Sequence, residues 1–232
     1  MTITLFELAG ANPNDRFGPH CWKSRIALAH KKVAYHTEPV SFTEKEKIAF
    51  SEQPLLPALK HNDTAVSDSF TIASYLDEQF PESPRLFIDD QAKEDAKEFN
   101  QWADTELAKH IRPAIIMPIF NLLSDTDKAY FRSTREAKLG VTLESCEEKA
   151  EAGLSGLLTA LQPVNEVLAE QSFLGGDTPS YKDICLFGLF LWLATTRGIE
   201  FLKADAVTYA WYQAMVKQYA NDLPAAVVTS AA

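Results

Sequence analysis

Gly18-Pro19-His20-Cys21 follows a β-prone run, Ile3 to Leu8, and opens a segment in which Trp22, Ile26, Ala29 and Val33 recur at helical spacing with Lys23, Arg25 and Lys31 between them. Between the two lies a loop of turn formers, Asn12-Pro13-Asn14-Asp15. Pro19 suits a first helical position, where its missing N–H is no loss. The pattern therefore predicts a strand, a loop and a helix whose N-terminus faces residues 18 to 21. Such a terminus carries about half a positive charge and unpaired N–H groups, so it favours an anion, including a thiolate.

Working outward, Val33 to Pro39 leaves room for a second strand, and Leu55-Leu56-Pro57-Ala58-Leu59 reads as an apolar strand start bearing a proline that cannot donate to a central ladder. Only about 5–6% of X–Pro bonds are cis, so the residues by themselves favour a trans Pro57. A strand around Ala65-Val66 runs into Asp68-Ser69, a good N-cap pair for a helix whose buried face is Ile72, Ala73, Tyr75, Leu76 and Phe80. This is an α/β sandwich of about 80 residues, a small domain by size. We place it at residues 1–84, ending in a connector marked by Pro81 and Pro84.

Residues 90–232 are helical in pattern and form a second, all-α domain. A long helix from Ala92 to Leu123 is expected to break near Pro113 and Pro118. Further helices are expected over Asp127–Leu139, Glu144–Glu170 (bent or divided at Pro163), Ser180–Arg197 and Asp205–Tyr219. Ser180 and Asp183 fit a capping box, which makes Asp183 a folding device rather than a catalytic acid. Ile184 to Ala194 is too short to span a bilayer and reads as a buried core helix. The last residues, Val227 to Ala232, are expected either to cover the site or to be disordered.

The 232 residues are 46% hydrophobic, enough for two packed cores, with no repeat or low-complexity segment. A formal charge of -10 without a basic patch excludes a nucleic-acid partner, and the N-terminus lacks the basic and apolar regions of an export signal. Cys21, Cys146 and Cys185 are odd in number and far apart, which points to a reduced, cytoplasmic protein. The five histidines show no metal-ligand spacing, no phosphate-binding glycine loop is present, and no membrane association is expected.

Taken together, the motifs resemble the glutathione transferase superfamily. Gly18-Pro19-His20-Cys21 lies where that family has its active-site turn, Leu56-Pro57 where it has a cis-proline loop, and Asp68-Ser69 where it has its glutamyl-binding pair. The run Phe173-Leu174-Gly175-Gly176-Asp177-Thr178-Pro179-Ser180-Tyr181-Lys182-Asp183 resembles the family's word before a capped core helix. Leu8 to Pro13, Cys21 to Lys31, Phe42-Thr43-Glu44-Lys45 and Val66 to Ser69 resemble, more narrowly, the bacterial and fungal β-etherase-like branch. The resemblance implies a thioredoxin-like α/β N-terminal domain plus an all-α C-terminal domain, with glutathione as co-substrate, a small hydrophobic electrophile as partner, and a homodimer.

Carried onto this chain, the resemblance makes Asp68, Ser69, Leu56 and Pro57 glutathione-binding, with Gln53 a receiver for the glycyl carboxylate. Phe17, Phe42, His110, Arg112, Met117 and Phe120 become candidates for the hydrophobic co-substrate site. Each has a plainer reading: helix capping for Asp68 and Ser69, a polar loop for Gln53, and core or interdomain packing for the aromatics.

The departure is Gly18. The branch places a serine there, whose hydrogen bond to a thiolate is worth roughly 1.5–3 kcal/mol, about one to two pKa units. Without it, weak transferase activity is expected unless another donor serves. The replacements considered are Cys21, read first as a packed small hydrophobe but bringing thiol-reductase chemistry if exposed; His20, read first as a solvated helix-start residue; and Asn12, Asn14 or Arg16, read first as an ordinary turn. The expected function is glutathione transfer to, or glutathione-dependent cleavage of, an apolar or aromatic electrophile such as an aryl ether. The alternative is a non-catalytic glutathione or hydrophobic-ligand binding protein.

Overall fold

The computed structural model describes residues 2–231. Its N-terminal part is a four-stranded sheet in the order β2-β1-β3-β4, built from β1 (Ile3–Leu8), β2 (His36–Val40), β3 (Ala58–His61) and β4 (Thr64–Ser67). Strands β1 and β2 run parallel, with Leu5 opposite Thr37, so the chain must cross over between them. Helix α1 (Pro19–His30) makes that crossing. Strands β3 and β4 are antiparallel neighbours closed by a tight turn, and helix α2 (Ser69–Gln79) returns across the sheet. This is the thioredoxin-like arrangement expected. The strand placed at Val33 to Pro39 begins at His36, and the one placed at Leu55 begins only at Ala58, after a seven-residue 3-10 segment, Lys45–Ser51, and a cis Leu56–Pro57 bond.

Helices α3 (Asp90–Trp102), α4 (Ala108–Leu122), α5 (Asp125–Leu139), α6 (Leu143–Glu147), α7 (Ala150–Ala160), α8 (Gln162–Leu168), α9 (Tyr181–Ala194), α10 (Ala206–Gln218) and α11 (Ala225–Ala231) form the rest. The long helix does not break at Pro113 or Pro118; both sit inside α4. It widens earlier, into a π turn at Ala103–Leu107 that separates α3 from α4. Packing explains the difference. A Cβ on Gly153 of α7 would meet the His110 carbonyl at 2.5 Å, so the two helices are in backbone contact, and that packing offsets the two missing N–H donors across which α4 continues. Pro163 behaves as expected, in the first turn of α8 after a break at Leu161, and a second break at Glu148–Lys149 was not foreseen.

Helix α9 is the centre of the second layer, with Ile184 to Leu191 all buried. Its start is the expected capping box. Fully buried Asp183 accepts hydrogen bonds from the Ser180 N–H at 2.9 Å, Leu174 N–H at 2.7 Å, Gly175 N–H at 3.0 Å and the Trp211 indole at 2.9 Å. Helix α1 lies directly on α9 because Gly188 lacks a side chain: a Cβ there would meet the Pro19 carbonyl at 2.9 Å. The glycine therefore sets the depth at which α1 presents its N-terminus. Residues Val227 to Ala231 close the chain as part of α11, which packs on α10 through buried Val227 and a bond from Gln213 to the Ala231 carbonyl. They do not cover the site; Ala232 lies outside the described residues. Among the described residues, no helix is long and apolar enough to cross a membrane.

Candidate active site

At the start of α1, Gly18 caps the helix with φ -70° and ψ 118°, and no side chain caps the terminus. The first helical bond is Trp22 N–H to the Gly18 carbonyl at 2.9 Å, so the His20 and Cys21 amides precede any intrahelical partner. The Cys21 thiol is not an exposed nucleophile. It is 3% exposed, its Sγ accepts the Leu8 N–H at 3.4 Å, and burial, aided by the Glu7 carboxylate, pushes its pKa up to about 12. This removes the exposure that thiol-reductase chemistry at Cys21 requires.

His20 stands at the mouth with 45% of its side chain accessible and Nδ1 3.8 Å from Asp104 Oδ2. Partial burial and the Lys23 charge lower its pKa, Asp104 and Asp68 opposing. Beneath it, buried Lys23 donates to Asp104 Oδ1 at 2.6 Å and to Asn100 Oδ1 at 2.8 Å. This pair ties the first turns of α1 to α3 and the π turn, holding the helix start against the second domain.

A cleft opens beside Gly18, bounded by Leu8, Pro19, His20 and Cys21 on one side and by Pro54, Leu55 and Leu56 on another. Its far wall is Phe42, Lys45, Tyr130 and Arg135, the last two from α5. Phe42 is held by a cross-domain latch: buried Asp127 of α5 accepts the Thr43 N–H at 3.0 Å, the Thr43 hydroxyl at 2.9 Å and the Ser124 hydroxyl at 3.0 Å. The Lys45 ammonium donates to the Tyr130 hydroxyl at 3.2 Å.

At the start of α2, Asp68 has φ 73° and ψ 135°, a backbone region that glycine adopts most easily. Its Oδ1 accepts the Phe70 and Thr71 N–H groups at 3.0 and 2.9 Å. The Ser69 hydroxyl is buried facing the buried Tyr181 hydroxyl. Such a strained, capped helix start with a buried hydroxyl behind it is suited to a charged ligand.

Several predicted residues fall elsewhere. Gln53 turns its amide back on the Leu55 main chain, accepting the Leu55 N–H at 2.8 Å and donating to its carbonyl, so it is spent within its own loop. Phe17 is buried behind Phe42, ring centroids 6.2 Å apart. His110 packs on α7, where a Cβ on Gly156 would meet its Nδ1 at 2.5 Å. Met117 is half-buried against the core, and Phe120 carries the Arg132 guanidinium 4.8 Å above its ring. Arg112 is exposed and donates to the Asp104 carbonyl at 3.2 Å. Of the co-substrate candidates, only Phe42 lines the cleft. Sequence reasoning missed Lys45, Tyr130 and Arg135. Their one visible signal was Asp127, Phe131 and Arg135 at i, i+4 and i+8 on one helix face.

The glutathione S-transferase N-terminal domain family matches residues 14–84, and the glutathione S-transferase C-terminal domain family matches residues 96–223. The chain belongs to the glutathione S-transferase family. Among individual relatives, it is 24% identical over 176 residues to glutathione S-transferase 3 of Glycine max, covering 75% of this chain and 68% of that one. Glutathione S-transferase U13 of Arabidopsis thaliana is 25% identical over 196 residues, 81% of this chain and 76% of the relative. Among solved structures, glutathione transferase GSTFuA3 from Phanerochaete chrysosporium superposes with a TM-score of 0.84 at 24% identity, covering 97% of this chain and 98% of its own. CsGST63524 of Ceriporiopsis subvermispora, determined in complex with glutathione, superposes with a TM-score of 0.83 at 20% identity, covering 97% of this chain and all of its own. The fold of this family member is therefore shared along nearly its whole length.

Proposed function

We propose that the protein is a glutathione transferase that binds glutathione along the α1–β3–α2 edge and directs its thiolate into the cleft beside Gly18. The observation that carries this reading is the uncapped N-terminus of α1, opening onto a cleft that no carboxylate of the described residues lines. That environment lowers the free energy of a thiolate even though Gly18 supplies no hydroxyl. A helix terminus contributes about 0.3–1 kcal/mol when exposed and up to about 2 kcal/mol when partly buried.

In this reading Asp68 and Ser69 take the γ-glutamyl end, the Leu56 main chain takes the cysteinyl unit, and Lys45 replaces Gln53 as receiver of the glycyl carboxylate. The thiol proton leaves to solvent, sulfur attacks an electrophilic carbon, the carbon–sulfur bond forms, and the leaving group departs with its bonding pair. For an aryl ether, the substrate suggested by the motif words shared with the β-etherase-like branch, that group is an aryloxide, which water protonates. The residues position and stabilise rather than bond covalently. We read the protein as a cytoplasmic homodimer, supported by three free, buried cysteines and by the family assignment; light scattering checks the dimer.

The test is calorimetric titration with glutathione, followed by ultraviolet thiolate absorbance against pH on the same sample. Binding with a bound-thiol pKa at least one unit below that of free glutathione supports the transferase. Binding with no shift indicates a carrier, and no binding refutes the role of Asp68 and Ser69.

A further inference from the structure

The far wall of the cleft holds a guanidinium with no ionic partner among the described residues. Arg135 packs over two adjoining aromatic rings, its Cζ 5.1 Å from the Phe42 centroid and 4.8 Å from that of Phe131. Its one hydrogen bond among the described residues is to the Thr134 hydroxyl at 3.0 Å. Its neighbour one turn earlier, Arg132, behaves as a surface arginine usually does, paired with Glu136 and Glu144 at 2.7 Å each. Arg135 pairs with neither, although the chain carries a formal charge of -10. Burial lowers its pKa, and no carboxylate opposes the shift; the one opposing group is Tyr130. A desolvated cation without a counter-ion carries an energetic penalty unless something anionic joins it.

We propose that Arg135 binds an anionic substituent on the electrophile, so that the cleft selects aromatic co-substrates carrying a carboxylate. This rests on the glutathione reading above and names the substrate class for the same cleft. Two cations line the far wall of the cleft, and they come from different elements. Lys45 lies on the N-terminal domain, beside the Leu55–Leu56 loop that the glutathione main chain would follow. Arg135 comes from α5, on the side left for the second substrate. A guanidinium presents a planar fork that engages a carboxylate through two parallel bonds, and Phe42 and Tyr130 offer flat apolar surface beside it. The Asp127 latch fixes Phe42, and with it one face against which the guanidinium rests.

The test uses calorimetry with glutathione, S-(4-carboxybenzyl)glutathione and the methyl ester of its benzoate. The wild type should bind the acid conjugate more tightly than the ester, with that preference weakening in added salt. In Arg135→Met, whose unbranched stem keeps contact with Phe42 and Phe131, the acid's affinity relative to the ester should fall roughly tenfold or more while glutathione alone binds unchanged. Arg135→Lys should lie between, since it keeps the charge and loses the fork. A wild type that binds the acid no better than the ester overturns the proposal without recourse to any variant. A preference that survives in Arg135→Met also overturns it, leaving the glutathione reading intact. Failure of the wild type to bind glutathione and both conjugates overturns the two together.

Discussion

A Cβ placed on Gly18 would lie 2.9 Å from the Cys21 sulfur and 3.2 Å from the Leu8 Cβ, so the glycine and the buried thiol occupy one another's space. The backbone itself, at φ -70°, accepts any residue. Restoring a serine is therefore opposed by packing and not by conformation. Gly18→Ser alone should lose about 1–3 kcal/mol of stability and gain little activity. Gly18→Ser with Cys21→Ala, which removes the 2.9 Å contact and leaves those of 3.2 Å to the Leu8 Cβ and 3.3 Å to the residue 21 Cβ, should recover part of that loss and raise conjugation of a chlorodinitrobenzene about tenfold. Denaturation of the four proteins gives the coupling energy; purely additive effects would refute the steric account.

The same burial gives a pH dependence. Cys21 and Cys185 are both pushed up to about 12, chiefly by desolvation, whereas an unfolded cysteine ionises near 8.5. With the folded pKa raised, the folded state holds more protons above the unfolded value. The stability contribution is thus complete at low pH and is lost as pH climbs from about 9 towards 12. Between pH 9 and 10, below the ionisation of most unfolded tyrosine, each thiol should remove on the order of 1 kcal/mol. Cys21→Ala should flatten that slope. Iodoacetamide at pH 8 should label Cys21 only at the rate of unfolding; rapid native labelling would contradict this burial.

Features set by one segment were legible in the sequence: Pro19 at a helix start, Asp68 as a cap, the Ser180–Asp183 box and the division before Pro163. Spacing fixes which residues share a face, but not which element that face meets. His110 and Phe120 were assigned to the cleft because they lie on a helix that passes it, yet one faces α7 and the other a partner arginine. Pro113 and Pro118 misled for the same reason, since close packing against Gly153 outweighs a local rule. Arg135 and Lys45 were invisible because their meaning lies in an absence of carboxylates around them, which only tertiary placement reveals.

Asp127 joins Thr43 of the first domain to Ser124 of the second through three hydrogen bonds at about 3 Å, and it is 1% exposed. Asp127→Ala should lower stability by about 2–4 kcal/mol, because the Thr43 N–H and two hydroxyls lose a charged acceptor. Thr43→Val, which keeps the N–H bond, should lose about 1 kcal/mol. Since the latch carries Phe42, KM for the electrophile should rise several-fold in Thr43→Val while the affinity for glutathione stays within twofold. A parallel loss of both would assign Asp127 to general stability and not to the cleft wall.

Asp68 combines roles that substitutions can separate: it caps α2 and adopts a positive φ, and in the proposed reading its second carboxylate oxygen meets the glutathione ammonium. Asp68→Asn keeps a capping oxygen and a side chain tolerant of positive φ, so stability should change by less than about 0.5 kcal/mol. Glutathione affinity should nevertheless fall roughly tenfold, because a charge-assisted contact becomes a neutral one. Asp68→Ala should lose about 1–2 kcal/mol of stability as well, from the missing cap and the strained φ, whereas Asp68→Gly relieves the φ and should lose only a few tenths. Calorimetry and thermal melting on the three variants separate charge from scaffold. If Asp68→Asn binds glutathione as tightly as the wild type, the carboxylate serves the helix alone, and the ammonium must be met elsewhere.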